Sequence, residues 1–91
     1  MNLQQKLNAW IISRIIELSI NHGISIHELA RKSNLSTTTI QNIISGKTTP
    51  KLETIASIAM VLSGTLDKFF ETVDDNIAAE VHKYISNGYK L

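Results

Sequence analysis

The chain has 91 residues, 43% of them hydrophobic, no cysteine and a net charge of +1. This is enough for one core but not two. The missing cysteine excludes disulfides and thiolate metal sites, and no unbroken apolar run reaches the length of a membrane span. The small net charge hides an asymmetry. Over 23–52, Arg31, Lys32, Lys47 and Lys51 stand against Glu28, a net +3, while over 66–80 Lys68 stands against Asp67, Glu71, Asp74, Asp75 and Glu80, a net −4. A basic middle beside an acidic tail suggests one face turned toward an anion and one turned away. The N-terminus has no basic segment leading into a clean apolar run, so no signal peptide is expected and a cytoplasmic setting is.

In chain order, Leu3, Leu7, Ile11, Ile15 and Leu18 recur at helical spacing and predict a long first helix over 3–22. Trp10, Ile12, Ile16 and Ile20 widen its apolar stripe, and Gly23 stops it. Ser25-Ile26-His27-Glu28 has the capping-box pattern and opens a second helix to about Ser33. Asn34 follows, a residue that tolerates positive φ. Ser36 caps a third helix to about Ser45, ended by Gly46. Lys47-Thr48-Thr49-Pro50 is a loop. A fourth helix begins near Pro50–Lys51, with the proline in its first turn, turns Leu52, Ile55, Ile58, Ala59 and Leu62 inward, and stops at Gly64. Thr65 caps a short fifth helix with Leu66, Phe69 and Phe70 on its apolar side. A last helix over 75–86 carries Ile77, Val81, Tyr84 and Ile85 on one stripe. The expectation is an all-α fold and a single domain over 1–91.

Gly23-Ile24-Ser25-Ile26-His27-Glu28-Leu29-Ala30 followed by Asn34-Leu35-Ser36-Thr37-Thr38-Thr39-Ile40 resembles the helix-turn-helix of the Cro/repressor-like (phage-repressor, XRE-type) family. Gly46-Lys47 and Pro50-Lys51-Leu52-Glu53-Thr54-Ile55 resemble its closing loop and fourth helix, and Thr65-Leu66-Asp67-Lys68-Phe69-Phe70 its fifth. The resemblance runs without a gap from Ile15 to Phe70, with the motif core at 25–62. Each piece alone is weak; the ordered set at fixed spacing is specific. It implies a five-helix repressor-like DNA-binding domain, here with a lengthened first helix and an additional C-terminal helix. The residue types agree. Ala30 is small enough for two helices to cross closely, and Leu29, Leu35, Ile40 and Ile43 can fill the space between them.

The family resemblance implies a DNA-binding transcriptional regulator, bacterial or phage-derived, that presents its third helix to the major groove of double-stranded DNA. By position, Thr37, Thr38 and Asn42 would meet bases, with Gln41 a further contact that depends on how the helix rolls in the groove. Asn and Gln pair with adenine, and threonine methyls suit thymine methyls. Ser25, Ser36, Ser45, Lys47, Thr48 and Lys51 would lie near phosphates. Thr39 is open between base, phosphate and local backbone bonding. Taken alone, a Ser-Thr-Thr-Thr run is more often a cap and a solvated face; the complete motif reverses those odds.

The chain departs from the family in three ways. Many members carry Gln at the position of Ile26, which offers no hydrogen bond. Many pair an Arg late in helix 1 with a Glu late in helix 3, where this chain has Ser19 and Ile44. Loss of both partners leaves no lone charge and is often neutral or stabilising. Helix 3 contains neither Arg nor Lys, so the bidentate guanine contact is missing and an A·T-leaning site or modest affinity is expected.

His22, His27 and His82 have no metal-ligand spacing, and no metal, cofactor or catalytic set is expected. Asp74-Asp75 reads as a cap and a solvated turn rather than an acid–base pair. The apolar surplus on helix 1 and in the tail predicts packing of the tail on helix 1 and a homodimer, with Phe69, Phe70, Ile77, Val81 and Tyr84 at the dimer or partner interface. Two rival readings keep the fold but change the role. One is the antitoxin of a toxin–antitoxin pair that represses its own operon and holds a toxin on its apolar surface. The other is a protein-interaction module that has lost DNA binding.

Overall fold

The computed structural model describes residues 2–71. Among them are five helices and no strand: α1 (Leu3–His22), α2 (Ile26–Ser33), α3 (Thr37–Ile44), α4 (Leu52–Ser63) and α5 (Leu66–Phe70). The expected last helix over 75–86, with Ile77, Val81 and Tyr84, lies outside the described residues.

Local chemistry sets each boundary. At the start of α1 the Gln5 amide donates to Asn2 Oδ1 at 2.8 Å and the Asn2 amide to Gln5 Oε1 at 2.9 Å. This reciprocal box satisfies two amides that a helix start leaves open. At the other end Gly23 takes φ +64°, and the amides of Gly23 and Ile24 return to the carbonyls of Ile20 and Ser19. The box expected at Ser25 is half formed. Ser25 Oγ accepts the Glu28 amide at 3.1 Å, but the Glu28 carboxylate turns to Lys32 Nζ at 3.1 Å. That exposed pair, one turn apart, contributes about 0.2–0.5 kcal/mol.

The turn between α2 and α3 is Asn34-Leu35-Ser36. Asn34 takes φ +59°, the one described non-glycine residue with positive φ. Its left-handed backbone lets the Leu35 amide reach the Ala30 carbonyl at 2.9 Å. Ser36 then starts α3 by accepting the Thr39 amide at 3.0 Å. Buried Ser33 donates its hydroxyl to the Leu29 carbonyl at 2.6 Å, so no polar group is stranded beneath the turn.

The core takes Ile11 and Ile15 from α1, Leu29 and Ala30 from α2, Ile40 and Ile43 from α3, Ile55, Ile58, Ala59 and Leu62 from α4, and Phe69 from α5. Each fully buried isoleucine contributes about 1.5–3 kcal/mol relative to exposure. The apolar stripe of α1 is narrower than its sequence suggests, since Ile16 and Ile20 are exposed. On α4, cover thins toward the start of the helix: Ile58 is 1% exposed, Ile55 8% and Leu52 67%. Leu52 therefore does not turn into the core as expected. Pro50 also lies outside α4, before the N-cap Lys51, rather than in its first turn.

Five residues are too few for a helix to stand alone, and α5 is held from two sides. Phe69 is fully buried. Its ring meets Trp10 edge-on at 6.0 Å, while Phe70 stacks on Trp10 at 5.4 Å; such pairs add about 0.5–1.5 kcal/mol each. Phe69 thus fills the chain's own core and is not available at a partner interface, contrary to the sequence expectation. On the second side, Arg14 of α1 donates from Nε to the Phe69 carbonyl at 2.9 Å and from Nη2 to the Lys68 carbonyl at 3.0 Å. Its Nη1 pairs with Glu17 at 2.7 Å. A cation here meets the carbonyls at the end of α5, that of Lys68 also accepting the Glu71 amide at 3.4 Å.

Arg14→Ala is expected to lower the unfolding free energy by about 2–3 kcal/mol through lost charged hydrogen bonds and lost packing. This would appear as a lower urea midpoint at unchanged slope. Arg14→Lys should recover only part of it, because an ammonium cannot fork across two carbonyls. In the same measurement Asn34→Ala should cost about 1 kcal/mol, whereas Asn34→Gly should stay within a few tenths of the parent. Equal stability of these two variants would show that the turn does not need the left-handed backbone.

Candidate nucleic-acid interface

The third helix is amphipathic in a way its neighbours enforce. Ile40 and Ile43, three residues apart, are buried against the other helices, and this fixes how α3 is rolled about its axis. Thr38, Gln41, Asn42 and Ser45 follow at intervals of three and four and share the opposite side. Thr38, Gln41 and Ser45 are exposed and Asn42 is half-buried. Thr37 lies at the edge of this stripe, half-buried, with its hydroxyl 3.3 Å from His27 Nδ1 on α2. Thr39 bonds locally, its hydroxyl 2.8 Å from Ser36 Oγ.

The segment after α3 folds back on that helix. The Asn42 carbonyl accepts the amides of Lys47 at 2.9 Å and Thr48 at 3.2 Å, and the Ser45 hydroxyl at 3.2 Å. Gly46 takes φ +78° to make the bend. Thr49 is tied to α1, its Oγ1 accepting from Asn8 Nδ2 at 3.1 Å. Lys47 and Thr48 are thereby carried on a fixed loop beside the polar stripe, both exposed. Lys51 is exposed at the head of α4, where no side chain caps the helix. A lysine there runs against both capping preference and the helix dipole, and local rules are most often broken where function asks for it.

The structure brings the four expected base-reading residues, Thr37, Thr38, Gln41 and Asn42, onto one short helix. Ser36, Ser45, Lys47 and Thr48 lie at its ends or in the loop that follows. Ser25 heads α2, its Oγ committed as an acceptor and its hydrogen still free to donate. Glu28, the lone acid over 23–52, is partnered by Lys32. Two features escaped sequence reasoning. The His27–Thr37 contact joins residues ten apart across a turn and leaves no mark in spacing or composition. The fork of Arg14 to α5 spans 55 residues, and its only sequence trace is a charge interrupting an apolar stripe.

Among the described residues no group of three or more His, Asp or Glu could hold a metal ion. No described helix is long and apolar enough to cross a membrane. No curated protein and no solved structure matches the chain. A helix-turn-helix family model matches residues 12–69, more than half of the chain and all of the interface built above. The chain therefore belongs to the Cro/repressor-like helix-turn-helix family and is a DNA-binding regulator of that type.

Proposed function

We propose that the protein is a sequence-specific transcriptional regulator that lays α3 in the major groove and acts as a homodimer. The observation that carries this reading is the polar stripe of α3, held outward by Ile40 and Ile43 and flanked by exposed Lys47, Thr48 and Lys51. One α-helix fits the major groove with its N-terminal residues nearest the bases. Thr37, Thr38, Gln41 and Asn42 would then read base edges. Ser25, Ser36, Ser45, Lys47, Thr48 and Lys51 would fix register on the phosphates. With amides and threonines but no arginine or lysine on α3, the favoured site is rich in A·T pairs.

For the dimer, Leu66 is exposed and Phe70 half-buried on α5, the element that leads into the tail with Ile77, Val81 and Tyr84. Phe69 is no part of that proposal. A two-fold pair would set its recognition helices about 34 Å apart, one turn of B-DNA.

A salt-titrated binding assay on duplex DNA, including the protein's own upstream region, tests the reading. Binding should weaken with salt, and Lys47→Ala or Lys51→Ala should each reduce the log–log slope by about one per copy. Thr37→Ala combined with Asn42→Ala should flatten sequence preference but keep salt-dependent binding. Absence of binding to every duplex at low salt defeats the proposal, as does unchanged preference in the double variant. Phe70→Glu should convert a dimer to a monomer in a sedimentation measurement; a dimer of unchanged size removes Phe70 from the interface.

A further inference from the structure

We infer that His27 is a positioning residue that sets the hydrogen-bonding polarity of Thr37, and so makes one position of base preference depend on pH. The inference rests on the reading that α3 enters the major groove. His27 Nδ1 lies 3.3 Å from Thr37 Oγ1. His27 is the second residue of α2 and Thr37 the first of α3, so the contact joins the starts of the two motif helices at the edge of the polar stripe. His27 is exposed, so protons and solvent reach the ring, while Thr37 is half-buried and its hydroxyl has this ring as its partner.

A threonine hydroxyl offers one hydrogen and two lone pairs. When imidazole is neutral with its proton on Nε2, Nδ1 accepts the Thr37 hydrogen, and the oxygen faces outward as an acceptor only. When imidazole is charged, Nδ1 donates to Thr37 Oγ1, and the hydroxyl hydrogen is released to donate elsewhere. The neutral ring protonated on Nε2 and the charged ring therefore present opposite faces to a base. In the major groove an acceptor suits the amino groups of adenine and cytosine. A donor suits N7 and O6 of guanine, O4 of thymine and N7 of adenine, so adenine can meet either state and cytosine only the acceptor. Histidine changes charge between about pH 5 and 8.

On α2, Glu28 is paired with Lys32 and Arg31 follows His27 by one turn. Of the helices against which α2 packs, α3 has no ionisable side chain and α4 has only Glu53, in its first turn.

The test is binding-site selection from randomised duplexes with the full chain at about pH 5 and about pH 8, the two ends of the histidine range. One position per half-site should move from cytosine at the higher pH toward guanine or thymine at the lower, by roughly two- to ten-fold, the scale of one hydrogen bond. His27→Ala should flatten that position and abolish its pH response. His27→Asn, which keeps a neutral hydrogen-bonding group near the place of Nδ1, should restore a preference that does not move with pH. Thr37→Val, which keeps the shape of the side chain and removes its hydroxyl, should reproduce the loss. His27→Ala with the parent's preference and pH profile overturns the inference while leaving the major-groove reading intact. If the parent protein selects no sequence at either pH, both fall together.

Discussion

The roll of α3 about its own axis is the constraint on which the rest depends. Ile40 and Ile43 project from one side of an eight-residue helix into a core shared with α1, α2 and α4. Close packing leaves no second position for two buried isoleucines. The opposite side is therefore fixed to within the freedom of its own side chains. The helix is also too short to be stable alone. Burial of its apolar side both makes it a helix and aims its polar side.

The remaining elements support that arrangement from a distance. The left-handed Asn34 sets the angle at which α3 leaves α2, and satisfied Ser33 lets the turn sit on apolar packing. The loop from Gly46 to Lys51 is bound to the last turn of α3 through the Asn42 carbonyl, so its cations move with the helix they flank. Further away, Trp10, Phe69, Phe70 and Arg14 close the far end of the bundle. Positive charge is used twice, for different ends: Arg14, 10% exposed, is spent on backbone carbonyls, while Lys47 and Lys51 stay in water.

Sequence pattern reveals the elements of this fold and hides their couplings. Helix starts and stops are legible because they depend on one or two neighbouring residues: Gly23, Ser25, Asn34, Ser36, Gly64 and Thr65 all act where their chemistry predicts. The inward faces of α2 and α3 are legible because short amphipathic helices have only one apolar side to bury. How far cover extends is not, since it depends on where neighbouring helices end. Leu52 and Ile20 match their periodicity yet remain exposed, and Phe69 is buried more deeply than a two-partner reading of α5 allows. Contacts between side chains on separate helices, His27 with Thr37 and Arg14 with α5, depend on crossing geometry that no spacing rule encodes. For the candidate site, the sequence identified the stripe residues; the structure added which local bonds occupy Thr39, Ser45 and Thr37.

The fork of Arg14 also orders events during synthesis. Its carbonyl acceptors lie 54 and 55 residues downstream. At about 5–20 residues per second the ribosome needs roughly 3–11 s to supply them after Arg14 has been made. The contacts of α1 with α3 and α4 involve residues made earlier and need not await α5. The nascent chain can thus hold its recognition helix in place while the face of Trp10 that Phe70 will cover is still bare. Phe70 then covers that ring and Arg14 ties the first helix to α5, so the aromatic face stays bare for the whole interval between the synthesis of Trp10 and that of Phe70.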